Sequence, residues 1–235
     1  MADGFYRFAD RIVEIQSVYN RIHKRAASYS VPEEHAEFLV STTEEDISRE
    51  KSAAEFPTSP NELEVLAVQR KLTEALLDYD TILFHSSALA VDGQGYLFAA
   101  LSGTGKSTHA RLWREVYGDR VVMINDDKPF IRVGEDEVRV YGTPWDGKHH
   151  LSTNTSVPVK AICILTRDTT NHIEEISLED AFPILYQQTY RPKDVAKLSR
   201  TIDLINRMAK NVKFFRLGCN MDPEAARISF EGMQA

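Results

Sequence analysis

Residues 100–107, Ala-Leu-Ser-Gly-Thr-Gly-Lys-Ser, constrain the fold more than any other stretch of the chain. They fit the relaxed Walker A pattern, with Ala100 in place of its first glycine. The spacing has a physical reason. Gly103 and Gly105 permit backbone angles that aim a run of N–H groups at one anion. A helix starting just beyond them adds its own unpaired N–H groups and its dipole. Lys106 can reach the outer phosphates of a nucleotide, and the Ser107 hydroxyl can ligate Mg²⁺. Ser102, Gly103, Thr104, Gly105, Lys106, Ser107 and Thr108 are therefore the candidate nucleotide-binding residues. The competing reading is a glycine-rich turn that caps a helix and leaves Lys106 solvated.

The surroundings supply the strand and helix that this loop requires. Ser86–Val91 and Tyr96–Leu101 are apolar runs around Asp92-Gly93-Gln94-Gly95, a strong hairpin signal. His109–Tyr117 reads as a helix through Ala110, Leu112, Trp113 and Val116. Further strands are predicted at Val121–Ile124, at Phe130–Val133 and Val138–Tyr141 around a second turn, at Val159–Leu165 and at Val212–Leu217. Helices are predicted after Ser177, after Pro192 (Val195, Leu198, Ile202, Ile205) and after Asp222-Pro223. Alternating strands and helices from residue 82 onward make this an α/β domain. Upstream, residues 5–16 and 36–42 read as short strands, and 43–56 as an exposed helix or loop. Ser59-Pro60-Asn61-Glu62 is a capping box opening a helix with Val65, Val68, Leu72 and Leu76 on one stripe. Pro57 and Pro60 make residues 58 and 59 the expected boundary between an N-terminal portion and the rest.

Val121–Ile124 runs into Asn125-Asp126-Asp127, about twenty residues after Lys106. In open α/β sheets, ligands sit beyond the carboxyl ends of the strands. One carboxylate there can hold Mg²⁺ and a second can take a proton from an attacking hydroxyl. Adjacent residues at a strand end share a direction only if the backbone bends. The competing reading is a simple acidic turn.

These residues carry a resemblance. Leu101–Thr108 resembles the kinase-1 loop of ATP-dependent phosphoenolpyruvate carboxykinases and is similar to the loop of HPr kinase/phosphorylases. Asn125-Asp126-Asp127 resembles the Asp-Asp motif that follows in both families. A hairpin leading into the loop, with His85 just before it, is similar to the HPr kinase arrangement. The likeness covers roughly residues 82–200. It implies an α/β, P-loop, phosphoenolpyruvate-carboxykinase-like or HPr-kinase-like nucleotide-binding domain over residues 59–235, a mixed sheet flanked by helices. Residues 1–58 would be an α+β portion packed on it. The resemblance also implies Asp126 as general base, Asp127 with Ser107 as the metal side, and His85 near the transferred phosphate. Arg191, in Thr189-Tyr190-Arg191-Pro192, would stabilise transition-state charge. ATP would be the co-substrate, Mg²⁺ the cofactor, and the hexamers of HPr kinases imply a homo-oligomer. The chain is much shorter than a carboxykinase and shows no separate oxaloacetate-binding domain. The HPr kinase C-terminal signature is also missing. It looks more like the small HPr-kinase-related proteins, some of which phosphorylate a peptide serine.

Tyr141–His150 follows the second hairpin and holds Gly142, Pro144 and Gly147, so it is a shaped loop. Trp145 offers a flat apolar face, and Lys148, His149 and His150 offer cationic or hydrogen-bonding groups. Trp145, Lys148 and His149 are the candidate substrate-binding residues. A metal site at His149-His150 and a loop buried for packing are the competing readings.

The expected activity is a Mg²⁺-dependent kinase acting on an alcohol: a polyol, a sugar, a free serine or a serine in a peptide. The alternative is a nucleotide-binding regulatory module without a phosphoacceptor. Composition narrows the partners. A net charge of −7 argues against nucleic acid or an anionic membrane. The longest apolar run, Tyr96–Leu101, is far below the roughly 20 residues of a membrane span. The N-terminal Met-Ala-Asp-Gly-Phe-Tyr-Arg does not read as a secretory signal. Cys163 and Cys219 read as buried free thiols of a cytoplasmic protein.

Overall fold

The computed structural model describes residues 2–33 and 35–234, which form two compact units divided between Tyr79 and Asp80. In the first, strands β1 (Ala2–Phe8) and β2 (Arg11–Ser17) pair antiparallel across a two-residue turn. Ala9 and Asp10 both take positive φ there, as a tight hairpin turn demands. Strand β3 (Phe38–Ser41) adds parallel to β2. A short helix α1 (Arg21–Arg25), which carries no apolar periodicity of its own, follows β2. Residues 44–53 form α2 (Glu44–Ala53), opened by a capping box between Thr43 and Asp46.

Helix α3 (Pro60–Leu76) starts where the capping box predicts, with the Glu62 N–H donating to the Ser59 hydroxyl. Its stripe, Val65, Val68, Leu72 and Leu76, is buried, and the helix packs on α1, α2 and β3. The first unit thus extends through α3, past the Pro57–Pro60 turn at which the sequence suggests a boundary. The small sheet needs that stripe to close a core. Glu64, on the same helix, is fully buried. Its carboxylate accepts from the Val18 N–H (2.6 Å), the Tyr19 N–H (2.8 Å) and the Thr42 hydroxyl (2.6 Å). One buried acid therefore satisfies the backbone leaving β2 and the segment after β3.

The second unit builds, among the described residues, a nine-stranded mixed sheet. Its strands are β4 (Thr81–Leu83), β5 (Ser87–Val91), β6 (Gln94–Ala99), β7 (Val121–Asn125), β8 (Phe130–Val133), β9 (Val138–Tyr141), β10 (Ser156–Arg167), β11 (His172–Ile176) and β12 (Lys213–Cys219). The order is β4-β8-β9-β10-β6-β5-β7, and β12 joins β10 to β11. Strands β6 and β12 run parallel to β10. Strand β5 is antiparallel to both β6 and β7, so β6 and β7 run the same way with β5 between them. Their carboxyl ends open on one edge. The hairpin turn at Asp92 and Gly93, with φ of 51° and 78°, is the predicted one.

Helices α4 (Lys106–Tyr117), α5 (Leu178–Gln188), α6 (Val195–Met208) and α7 (Glu224–Gly232) complete the unit, a mixed α/β arrangement. Helix α4 starts a turn earlier than its apolar pattern suggests, because its first turn is polar. Strand β6 stops at Ala99, and Leu101, expected inside a strand, is half-exposed where the chain turns into the glycine loop. Strand β4 is too short to show a period, and the polar edge strand β11 shows none, so neither is predicted from sequence.

Helix α4 is fixed to the core by aromatic packing. Trp113 is fully buried against Tyr96, Phe98 and Phe230. Its indole N–H donates to Ser229 Oγ at 2.9 Å, joining α4 to α7. His109 lies edge-on to Phe98, and burial pushes its imidazole down to about 3, so it stays neutral. Cys163 is buried and Cys219 partly so; both are free, and burial pushes both thiols up. Among the described residues, no helix is long and apolar enough to cross a membrane.

Replacing Glu64 with Ala strips the partner from two backbone donors and one hydroxyl. The expected loss is about 3 kcal/mol, read as a lower urea midpoint for the first unit. A loss under about 0.5 kcal/mol, the ordinary range of surface substitutions, would mean that those donors find other partners.

Candidate functional site

Strand β6 delivers the chain into the glycine loop. Gly103 (φ 76°) and Gly105 (φ 124°) take angles that strain any other residue. Gly105 stands at the N-cap of α4 and offers no side chain to its first N–H groups. Helices α2, α3, α5 and α6 are capped by Thr43, Ser59, Ser177 and Asp194, whereas α1 and α7 share with α4 a start without a side-chain cap. A side-chain cap on α4 would occupy the donors that an anion needs. A Cβ on Gly103 would meet no atom within 4 Å, so the space over the loop is open. Arg167, at the end of β10, donates to the Gly103 carbonyl at 2.6 Å and holds the loop from behind. The Lys106 ammonium donates to the Ala100 carbonyl at 3.3 Å. Burial, with Lys128 as a like charge nearby, lowers its pKa, while Asp127 pulls it back up.

At the end of β7 the chain bends around a buried amide. Asn125 is fully buried. Its Oδ1 accepts from the Asp127 N–H (2.8 Å) and the Lys128 N–H (2.7 Å). Its Nδ2 donates to the Thr143 carbonyl and hydroxyl, both at 3.0 Å. This Asx bend brings Asp126 and Asp127 to one cavity in different environments. Asp126 is almost fully buried and its Oδ1 accepts from the Gly147 N–H at 2.6 Å. Burial pushes its carboxyl up; the Gly147 hydrogen bond opposes this, and the charges of Asp146 and Asp127 add to it. A Cβ on Gly147 would lie 3.0 Å from the Asp126 carboxylate, so a larger residue here would push that carboxylate from its place.

Asp127 is held the other way. Burial works to raise it, but His85 and Lys128 outweigh that and keep it below the ordinary carboxylate range. His85 Nε2 lies 3.0 Å and Lys128 Nζ 3.1 Å from the same oxygen, Oδ1. The backbone around His85 is itself pinned. The His85 N–H donates to the Gln188 carbonyl at the end of α5, and the Ser86 N–H donates to the Asp127 carbonyl.

A cavity of about 650 Å³ joins these parts. Gly103, Gly105, Lys106, Ser107 and Thr108 line one side, and His85, Asp126 and Asp127 the other. Gly147, Lys148 and His149 close it from the loop after β9. A second cavity, about 500 Å³, lies on the other side of the glycine loop. It shares Gly103, Gly105 and Thr108, and adds Thr104, Leu112, Leu165 and Met221. Ser102 is exposed and lines neither cavity.

Two expectations fail. Trp145 is buried, edge-on to Phe130, and its N–H donates to Thr143 Oγ1. Its apolar face packs the loop rather than a substrate. Arg191 donates to the Tyr186 and Gln187 carbonyls and lies over the Tyr186 ring. It caps the end of α5 and does not line the cavity. The cations that do belong to the site are others. Lys128 touches Asp127, Arg111 lines the cavity, and Arg167 holds the loop. Arg111 had a signal in the sequence, one helical turn after Ser107; Arg167 had none.

No protein-family model and no curated protein sequence matches this chain. Among solved structures it is similar to the HPr(Ser) kinase/phosphatase from Coxiella burnetii, at 12% identity and a TM-score of 0.30, over 55% of this chain and 91% of that one. A likeness this weak carries no argument for fold or activity.

The His85–Asp127 contact has a pH signature. Asp127's depressed folded pKa adds stability that is present above the ordinary aspartate range and lost as pH falls through the depressed value. In His85→Ala the Asp127 carboxyl is expected to titrate at higher pH, read by carboxyl carbon NMR, and acid unfolding to begin at higher pH. An unchanged titration would assign the depression to Lys128 alone.

Proposed function

We propose that the second unit is an ATP- and Mg²⁺-dependent phosphotransferase of the P-loop kind, moving the γ-phosphoryl group to an alcohol hydroxyl. One observation carries this reading. Lys106 and Ser107 from the start of α4, Asp126 and Asp127 from the end of β7, and His85 from the start of β5 converge on a single cavity. The uncapped start of α4 and the open space over Gly103 fit a phosphate group. The Ser107 hydroxyl and the Asp127 carboxylate would hold Mg²⁺, since its usual donors are one or two carboxylates with phosphate oxygens and water. When bound, the ion supplies charge neutralisation at the outer phosphates.

The division of labour follows from the two acids. Lys106 donates to the outer phosphates in exchange for the Ala100 carbonyl. Asp127, kept ionised by His85 and Lys128, suits a metal ligand. Asp126, raised by burial and fixed through Gly147, suits a base that accepts the hydroxyl proton. As that proton leaves, the acceptor oxygen bonds to the γ-phosphorus and the bond to the ADP oxygen breaks. Positioning and charge stabilisation supply most of the acceleration. The nucleoside would extend into the second cavity, past Leu112 and Leu165.

Asp126→Asn is expected to lower acceptor-dependent ADP release by about 10²–10⁴-fold while nucleotide affinity stays within a few-fold. Lys106→Ala is expected to weaken nucleotide binding itself. In the wild type, the acid limb of kcat/KM is expected above the ordinary aspartate range, because Asp126 must be ionised to act. Turnover retained in Asp126→Asn removes the base from the scheme. Nucleotide binding without any acceptor-dependent turnover would favour a regulatory nucleotide-binding module.

A further inference from the structure

Asp126 borders a second space besides the phosphate cavity. A cavity of about 330 Å³ lies between α4 and the end of β7, and Asp126 lines both. Ala110, Met123 and Leu151 give it an apolar wall. Arg111 and Arg114 give it a cationic one. The volume is that of a small-molecule pocket.

The two arginines stand three residues apart on one helix, hence on one face. Arg111 pairs with Glu115. Arg114 forms no ion pair among the described residues, although the chain is acidic overall, with a net charge of −7. Guanidinium groups bind carboxylates and phosphates through paired N–H donors. An alcohol seated here with its hydroxyl at Asp126 would have its apolar stem on Met123 and Leu151 and any oxyanion at Arg114.

We infer that this chamber is the acceptor site and that the acceptor is a small alcohol carrying an oxyanion, either a hydroxy acid or a phosphorylated alcohol. The inference rests on the phosphotransferase reading for its chemistry but on the chamber alone for binding. The balance is that already given: the hydroxyl proton passes to Asp126, and the γ-phosphoryl group moves from the ADP oxygen to the acceptor oxygen.

The test uses the full chain with Mg²⁺ and ATP. Glycerate and 3-hydroxybutyrate are compared with their neutral amides, and glycerol phosphate with glycerol. ADP release is measured alongside ligand-observed NMR binding in the presence of a non-hydrolysable ATP analogue. The expected result is that one anionic class exceeds its neutral partner at least tenfold in kcat/KM and in binding. Arg114→Gln should erase that preference by raising acceptor KM, with nucleotide affinity reporting that the variant is folded. Leu151→Trp, which fills the chamber, should weaken the same acceptors. The arm that responds distinguishes carboxylate from phosphate. Anion-selective binding lost in Arg114→Gln, without turnover, keeps the chamber and overturns phosphoryl transfer. Neutral acceptors or serine peptides preferred, a preference intact in Arg114→Gln, or no binding in either arm overturns the chamber.

Discussion

A single buried amide organises the site. Asn125 uses its carbonyl oxygen to turn the backbone after β7 and its NH₂ to tie that turn to Thr143. Without the turn, adjacent residues at a strand end point to opposite faces of the sheet. With it, two neighbouring carboxylates enter one cavity. The same tie fixes the loop after β9, because Thr143 Oγ1 also accepts from the Trp145 N–H and donates to the Lys128 carbonyl. Gly147, which grips Asp126, is thus held through the residue that bends Asp126 into place.

The bend creates electrostatic asymmetry between two chemically identical groups. Asp127 faces His85 and Lys128, and both act on one of its oxygens. Asp126 faces a backbone N–H and the negative charges of Asp146 and Asp127. Environment, not residue type, separates their proton affinities. Acid and base roles in one pocket are usually divided this way.

Much of this was legible in the sequence, and the failures have physical causes. The glycine loop, the hairpin before it and the Asn125-Asp126-Asp127 end of a strand each obey local rules, so spacing alone located them. Lys148 and His149 do line the cavity, as the shaped loop implied. Trp145 and Arg191 failed because composition cannot tell an aromatic face that packs from one that binds, or a guanidinium aimed at a ligand from one that satisfies a helix end. Arg167 and the partners of Glu64 were invisible because they depend on contacts between segments far apart in the chain. The extent of the first unit was also hidden: whether the α3 stripe belongs with what precedes or follows it is decided by packing, not by the prolines beside it.

The insertion of β5 between β6 and β7 has one more consequence. A strand that runs against its neighbours presents its first residues, not its last, to the edge where they end. His85 therefore reaches the cavity from the upstream side of the hairpin. The turn at Asp92 and Gly93 is left on the opposite edge, away from every residue of the site. The stretch of chain between His85 and Lys106 thus contains its own neutral ground. The two arms of the hairpin set the histidine and the glycine loop side by side, and that turn adds nothing to the cavity.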